Sequence, residues 1–382
     1  MIMRRLLNPF VVVISAILML AYAYLAWRLT SSLVSRIALA VPFFLIWIVP
    51  VLYWVGERET GDLIDELLHF ASYTCMGWIN FLIVLSLARD VLLFSTLWLS
   101  SLSDLHAHLH DIGVPLVFVG SVIALGVGAL AALRGPHVRH IDIPIDGLDA
   151  GLEGLRIAQI SDLHVGPTIR AAYVRRVVRL TNQLAPDLVA LTGDLVDGSV
   201  ARLAPHVAPL ADLMPAGRVF VVLGNHEYYS GAAQWIAHFK KLKMHVLLNE
   251  HATISRDGTR IIVGGVLDPA ARGSGADQGP RPDLAAAHNE GPGFRLLLAH
   301  NPNLAPLGET AGFDLQLSGH THAGQFFPWT LAVHLVHAPH VAGLSRRGRM
   351  WVYVSAGTGT WGPPVRFGTE PELTVLRLVR AN

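Results

Sequence analysis

Aspartate, histidine and asparagine recur in five short blocks of this sequence, each following an apolar run of strand character. The run 155–160 leads into Ser161-Asp162-Leu163-His164. The run 188–191 leads into Thr192-Gly193-Asp194, with Asp197 three residues on. The run 219–223 leads into Gly224-Asn225-His226-Glu227. The runs 294–299 and 315–317 end at His300 and at Ser318-Gly319-His320-Thr321-His322. Neutral imidazoles and carboxylates suit a divalent ion with a mixed nitrogen and oxygen shell. Asp-x-His offers two groups to one ion, and a lone aspartate after a strand can bridge two ions about 3.5–4 Å apart. An asparagine oxygen adds a ligand without adding charge, and His-x-His brings two imidazoles from one loop. Gly193, Gly224 and Gly319 beside the ligands let the backbone turn sharply. Taken singly, Asp162 and Asp194 could be helix N-caps and the histidines polar loop residues. That accounts for one or two positions and not for the set.

These blocks need elements to hold them. Further strand-like runs lie at 261–266, 351–354 and 373–378, and 171–184 has helical apolar spacing at Val174, Val177, Val178, Leu180 and Leu184, with Pro186 beyond its end. A strand–helix–strand opening predicts an α/β domain. In open α/β sheets, ligands bind in the crevice beyond the carboxyl ends of the strands, which is where all five blocks fall. The Gly/Pro/Ala-rich stretch 268–292 reads as a long loop.

The five blocks, in this order, resemble those of the calcineurin-like metallophosphoesterases, over about residues 150–382. Val354-Ser355-Ala356-Gly357 and Pro364-Val365-Arg366-Phe367 resemble its membrane-associated bacterial branch. The resemblance implies a four-layer α/β/β/α sandwich and two divalent ions, with Mn, Fe, Zn and Ni not distinguished. It implies that Asp162, His164 and His322 hold one ion, that Asn225, His300 and His320 hold the other, and that Asp194 bridges them. A water between the ions would attack phosphorus in line. His226 would stabilise the transition state or protonate the leaving oxygen, oriented by Asp197; an imidazole beside dications needs such an anion to stay protonated. Glu227 is expected to be structural. His206, His238, His245, His334, His337 and His340 match no position of the pattern and are expected on the surface or in packing. Ala323 stands where this branch often has glycine, and the 268–292 loop is longer than the family core needs.

The chain ahead of this domain is of another kind. Of 382 residues 52% are apolar and only 15% charged, against about 25% charged in ordinary soluble chains. Four apolar runs, at about 9–27, 37–55, 67–88 and 114–133, each reach the roughly 18–20 residues that cross a bilayer core. They carry no formal charge, which argues against a transporter or receptor role, and a cleaved signal peptide explains one run and not four. The run 91–99 extends the third span or lies in the interface. The expectation is an all-α transmembrane bundle of about four helices over 1–134 and the catalytic domain over 135–382. Four spans place Arg4, Arg5, Arg58, Arg134 and Arg139 on one side and Arg28, Arg36 and Arg89 on the other. This leans toward a cytoplasmic catalytic domain in a bacterial inner membrane. Cys75 is the only cysteine, which excludes an internal disulfide and a cysteine-based metal site. A net charge of +1 offers nothing to nucleic acid.

The expected partners are therefore a lipid bilayer and a phosphorylated small-molecule or lipid substrate. Two features lean toward a lipid or lipid-linked phosphate or pyrophosphate: the anchor, and the apolar segment 326–336 shortly after the last metal block. That segment reads either as core packing or as an interfacial element. Arg346, Arg347 and Arg349 form a basic turn that suits anionic headgroups or a solvated hairpin. The competing readings are a soluble phosphodiester or phosphomonoester hydrolase merely tethered to the membrane, and a catalytically silent metal-binding scaffold.

Overall fold

A computed structural model describes residues 7–54, 63–98, 100–274, 278–286 and 291–381. Arg4, Arg5 and Arg58 of the orientation count lie outside the described residues, as do Val55 and Leu99 at the ends of two apolar runs and parts of 268–292. The chain divides into two compact units, Met1–Leu130 with Gly362–Val365, and Ala131–Trp361 with Arg366–Asn382.

The first unit holds α1 (Pro9–Leu29), α2 (Leu33–Val49), α3 (Leu63–Leu97) and α4 (Ser103–Leu133). All four, the second taken through Tyr53, are long and apolar enough to cross a membrane. The start of α1 combines Pro9 at its first position with an Asn8 side chain that accepts from Phe10 N, and Ser32 and Ser35 form a capping box at α2. Leu25, Phe43, Ile46, Ile79 and Leu82 are buried where α1, α2 and α3 meet. Helices α1, α3 and α4 overrun the apolar runs read from sequence, whereas α2 starts before the run 37–55 and gives way to a π-helical turn, Pro50–Trp54. The run 67–88 grows into Leu63–Leu97, taking in most of 91–99 and continuing through Arg89 and Asp90. Arg89 and Asp90 lie outside the run 67–88, which itself carries no formal charge, but inside the helix. The charge is neutralised locally: Asp90 accepts from Arg28 Nε at 3.0 Å and from the Tyr24 hydroxyl at 2.9 Å.

The second unit opens with β1 (His137–Ile145), β2 (Arg156–Ile160), α5 (Ala171–Gln183), β3 (Leu188–Thr192), α6 (Val200–Val207) and β4 (Val219–Val222). It continues through α7 (Asn225–Tyr229), α8 (Ala232–Lys241), β5 (His245–Val246), β6 (Glu250–Arg256) and β7 (Thr259–Gly265). Then come α9 (Pro282–Ala285), β8 (Phe294–Leu298), α10 (Ala305–Thr310) and β9 (Leu315–Ser318). Last are α11 (Trp329–His337), β10 (Gly343–Arg347), β11 (Met350–Val354) and β12 (Glu372–Arg380).

The strands form two six-stranded sheets, ordered β1-β12-β2-β3-β4-β5 and β10-β11-β9-β8-β7-β6. Ile157, Leu188, Phe220 and Val222 of the first face Ile261, Leu296, Leu315 and Tyr353 of the second in one dry core. Helices α5, α6 and α8 cover the outer face of the first sheet through Val174, Val177, Leu203, Trp235 and Phe239. Ala285 and Ala305, of α9 and α10, cover the second with Leu297 and Val352. This is the expected four-layer sandwich. The stretch 268–292 is not one long loop: it contains a 3-10 turn Pro269–Ser274 and the short α9, with Ala271, Ala285 and Ala286 fully buried.

Candidate metal centre

Strands β2, β3 and β4 are parallel neighbours, and so are β8 and β9. Their carboxyl ends therefore present the five blocks side by side. Hydrogen bonds lace the loops together: Asp162 N donates to Gly193 O (3.0 Å), His164 N to Asp194 O (3.0 Å), and Gly319 N to His300 O (3.0 Å). The fully buried Gln159 amide donates to Thr192 Oγ1 (2.9 Å) in its own sheet and to Ser318 O (2.8 Å) in the other.

All seven expected ligands converge. Asp162, His164 and His322 place ligand atoms within 4.8 Å of one another, and so do Asp194, His300 and His320. The Asn225 Oδ1 lies 3.0 Å from His320 Nδ1, and His300 Nε2 lies 3.2 Å from the same nitrogen. Asp194 belongs to both neighbourhoods through one oxygen: Oδ2 is 3.1 Å from His300 Nε2 and 3.9 Å from His164 Nε2. Neither aspartate caps a following helix. Asp162 Oδ1 accepts from His320 N and Asp194 Oδ1 from His226 N, each at 2.9 Å, so each carboxylate fastens another ligand loop.

The backbone is strained to achieve this. Asp162, His164, Asp194, His320 and His322 all have positive φ, between 50° and 72°. Left-handed backbone costs an L residue about 1–2 kcal/mol, and such strain concentrates at functional sites. The glycines serve two purposes. Only Gly193, at φ 87°, needs the sharp turn. Gly224 and Gly319 instead provide space: a Cβ on Gly319 would lie 2.0 Å from Ser161 Oγ and 2.1 Å from Asp162 Oδ2, and one on Gly224 2.2 Å from Asp194 Oδ1. Ala323 has φ 51°, the conformation its expected glycine would adopt freely.

The donor set fits cations. His164 Nδ1 donates to Asp197 Oδ1 (2.8 Å) and His300 Nδ1 to Thr192 O (2.8 Å), which turns each Nε2 inward. His164 Nε2 and His322 Nε2 lie 3.0 Å apart, and the fully buried Asp162 Oδ2 meets no hydrogen-bond donor among the described residues. The protonation tendencies say the same. Burial raises Asp162 and would discharge His300, yet Asp194 and its neighbours hold His300 well above an ordinary imidazole. The centre demands positive charge. Burial keeps His320, at about 3, and His322 neutral, as ligands must be.

Asp197 touches two imidazoles, not His226 alone. Its Oδ1 lies 2.7 Å from His226 Nδ1 and 2.8 Å from His164 Nδ1, so one carboxylate oxygen serves both rings. Burial opposes charge on His226, but Asp197, with Asp194 and Glu227 behind it, brings the imidazole up to about 9. Burial would raise Asp197 itself, and His164 and His226 hold it far down instead. Glu227 is structural as expected: its fully buried carboxylate accepts from the backbone N–H of Asp194, Leu195, Val196 and Gly224. Burial next to Asp194 pushes it up to about 7.

Four neighbours of the centre were not singled out from sequence as functional. Arg366 is fully buried and donates to His322 O (2.9 Å) and Gly359 O (2.6 Å), cradling the last ligand loop; its only signal was its place in the block 364–367. The exposed rings of Tyr229 and Trp361 lie 5.6 and 5.8 Å from the His226 ring, and no sequence pattern marks them. Asp268 is buried, with Oδ2 unbonded among the described residues; it follows the run 261–266 as Asp162 and Asp194 follow theirs. His337, read as a packing residue, packs on a ligand: its ring lies 5.2 Å from that of His320.

A family model described as calcineurin-like phosphoesterase matches residues 155–324, the span that carries all seven of the expected ligands. An uncharacterized metallophosphoesterase of Helicobacter pylori (strain J99) is 36% identical over 67% of this chain and 67% of its own length. The chain belongs to the calcineurin-like metallophosphoesterases. Within the family, an uncharacterized metallophosphoesterase of Campylobacter jejuni is 33% identical over 69% of this chain and 70% of its own length. A Danio rerio protein named transmembrane protein with metallophosphoesterase domain is 35% identical over 69% of this chain and 64% of its own length. The chain thus spans less than two thirds of that relative. The name of this relative and the four apolar helices together support a membrane protein.

Proposed function

We propose that this metallophosphoesterase is a membrane-anchored hydrolase with a dinuclear centre, acting on a phosphate ester or pyrophosphate presented at the bilayer. Asp162, His164 and His322 would hold one divalent ion, Asn225, His300 and His320 the other, and Asp194 would bridge them. The observation that carries this reading is the position of Asp194 Oδ2, which faces ligand atoms of both groups. Two divalent ions, when bound, supply a water of lowered pKa and polarise the phosphoryl oxygens. His226 holds a proton at Nδ1 against Asp197 and turns Nε2 toward the centre, 4.0 Å from Asp194 Oδ2. From there it would donate to the phosphoryl or leaving oxygen. Asp197 would fix the tautomers of His226 and His164 together, coupling acid catalysis to metal binding.

The test uses the full chain, purified and loaded separately with Mn, Fe, Zn or Ni. It is assayed on soluble phosphomonoesters, phosphodiesters and pyrophosphates and on their lipid-linked counterparts in bilayers. His226→Gln should lower turnover by about 100-fold or more while metal content stays intact. Unchanged turnover would leave a silent metal-binding scaffold. Equal efficiency on soluble and lipid esters, with bilayer making no difference, would remove the membrane substrate and leave a tethered soluble hydrolase.

A further inference from the structure

The segment 326–336, which sequence left between core packing and an interfacial role, forms α11, and its apolar face is turned outward. Trp329 is 56% exposed, Leu331 64%, Leu335 90% and Val336 66%. At 100° per residue these four side chains, with the half-buried Ala332 among them, cover an arc of about 160°. The opposite side carries Thr330, the half-buried Val333, the exposed His334 and the buried His337. This inverts the usual arrangement of a surface helix, which turns its apolar stripe to the core. Clustered exposed apolar side chains of this kind mark an interaction site.

The charge pattern says what kind. From residue 315 to residue 345 there is no Asp, Glu, Lys or Arg. A protein partner would ordinarily be met by a polar rim around the apolar centre. A helix without charge, entered through a tryptophan, matches instead the boundary between headgroups and acyl chains. The same chain carries four helices long and apolar enough to span a bilayer.

The helix is also fixed to the metal centre. A Cβ on Gly324 would lie 2.4 Å from Trp329 O and Thr330 N, so the first turn of α11 is seated against the turn that carries His322. At its other end His337 packs on the His320 ring. Gln325, just before α11, clamps the Trp361 backbone through Gln325 Nε2 to Trp361 O and Trp361 N to Gln325 Oε1, both 2.9 Å. Trp361, 46% exposed, in turn lies beside His226.

We propose that α11 is an in-plane membrane-docking helix, with Trp329, Leu331, Leu335 and Val336 buried in the lipid interface so that the metal centre meets phosphate groups at the bilayer surface. The docking stands on the exposed face alone; its use in substrate delivery rests on the phosphoesterase reading given above.

The test places a single fluorescent label. Cys75 is the only cysteine, so a Cys75→Ser, Leu335→Cys chain can be labelled with an environment-sensitive probe. The full chain is then reconstituted in nanodiscs of three parts phosphatidylcholine to one part phosphatidylglycerol. A label on Arg179→Cys, exposed on α5, serves as the reference. Emission at 335 should shift to the blue and be quenched by nitroxides carried on lipid acyl chains. A label as wet as the reference overturns the proposal. So does a blue-shifted label that lipid-borne nitroxides fail to quench, because protein then covers the face, whether a second copy or another part of this chain. For the functional half, Leu331→Glu with Leu335→Glu should keep turnover of soluble bis(4-nitrophenyl) phosphate within about twofold. Turnover of hexadecyl 4-nitrophenyl phosphate in the same nanodiscs should fall about tenfold or more. Equal effects on both esters would overturn substrate delivery. Failure of the unmodified chain to cleave either ester would instead count against the phosphoesterase reading, with the label still reporting docking.

Discussion

Replacing Asp197 by asparagine should move the alkaline limb of the pH profile and do little in acid. Asp197 Oδ1 sits 2.7 Å from His226 Nδ1, and burial by itself would push that imidazole below its ordinary 6.5, yet it stands at about 9. Asparagine keeps an acceptor oxygen but loses the charge, so His226 should fall back to about 6.5 or lower. The sign follows from the role proposed for His226. A proton donor is active while protonated, so activity is lost as pH rises through its pKa, and lowering that pKa brings the loss to lower pH. Near pH 8 the protonated fraction drops from about 0.9 to about 0.03, a loss of about 30-fold, whereas near pH 6 the loss is under about twofold. Bound dications lower the limb in both proteins, so the separation between the two profiles is the quantity to measure. Asp197 also holds His164, at 2.8 Å, so the assay records kcat/KM at saturating metal with metal content checked at each pH. Parallel profiles, depressed equally at every pH, would refute the reasoning and leave Asp197 acting through metal retention alone.

Gly319→Ala should weaken metal binding by about tenfold or more, read by metal titration, because its Cβ would displace Asp162 Oδ2 from 2.1 Å. Ala323→Gly should act in the opposite direction: relief of φ 51° outweighs the added chain entropy, raising stability by about 0.5–1 kcal/mol and the melting temperature with it. A lower melting temperature would mean that Ala323 is not strained. Glu227→Ala should cost about 3 kcal/mol or more, since four backbone N–H groups lose one shared acceptor. The loss should appear as a lower melting temperature in metal-free protein as well; a loss confined to the metal-loaded form would contradict it.

The strands missed from sequence have one thing in common. Strands β1, β5, β6 and β10 are the four sheet edges, while the runs recognised in advance are the interior strands. Interior strands are covered on both faces and must be apolar throughout, as the fully buried β3 is. Edge strands such as β1 and β6 carry His, Arg, Asp and Glu toward solvent and lose the pattern. For the same reason the ends of α3 were hidden: Arg89 and Asp90 look like a helix boundary until Arg28 and Tyr24, some sixty residues earlier, are seen to satisfy Asp90.

The sequence by itself pointed to a metal site, because carboxylates, imidazoles and an asparagine follow five buried strands, and the order of those five blocks carried the family resemblance that implies the reaction class. It determined four apolar helices, because length and composition suffice for that. Tertiary structure alone decided which atoms share a neighbourhood: that one oxygen of Asp194 faces both groups, that one oxygen of Asp197 serves two histidines, and that Gly319 yields space rather than a turn. These are contacts between residues up to 158 positions apart, as His320 N is from Asp162 Oδ1. It also decided the direction of α11. An apolar segment reads the same in a core as on a surface, since composition records what a side chain is and only packing records what it touches.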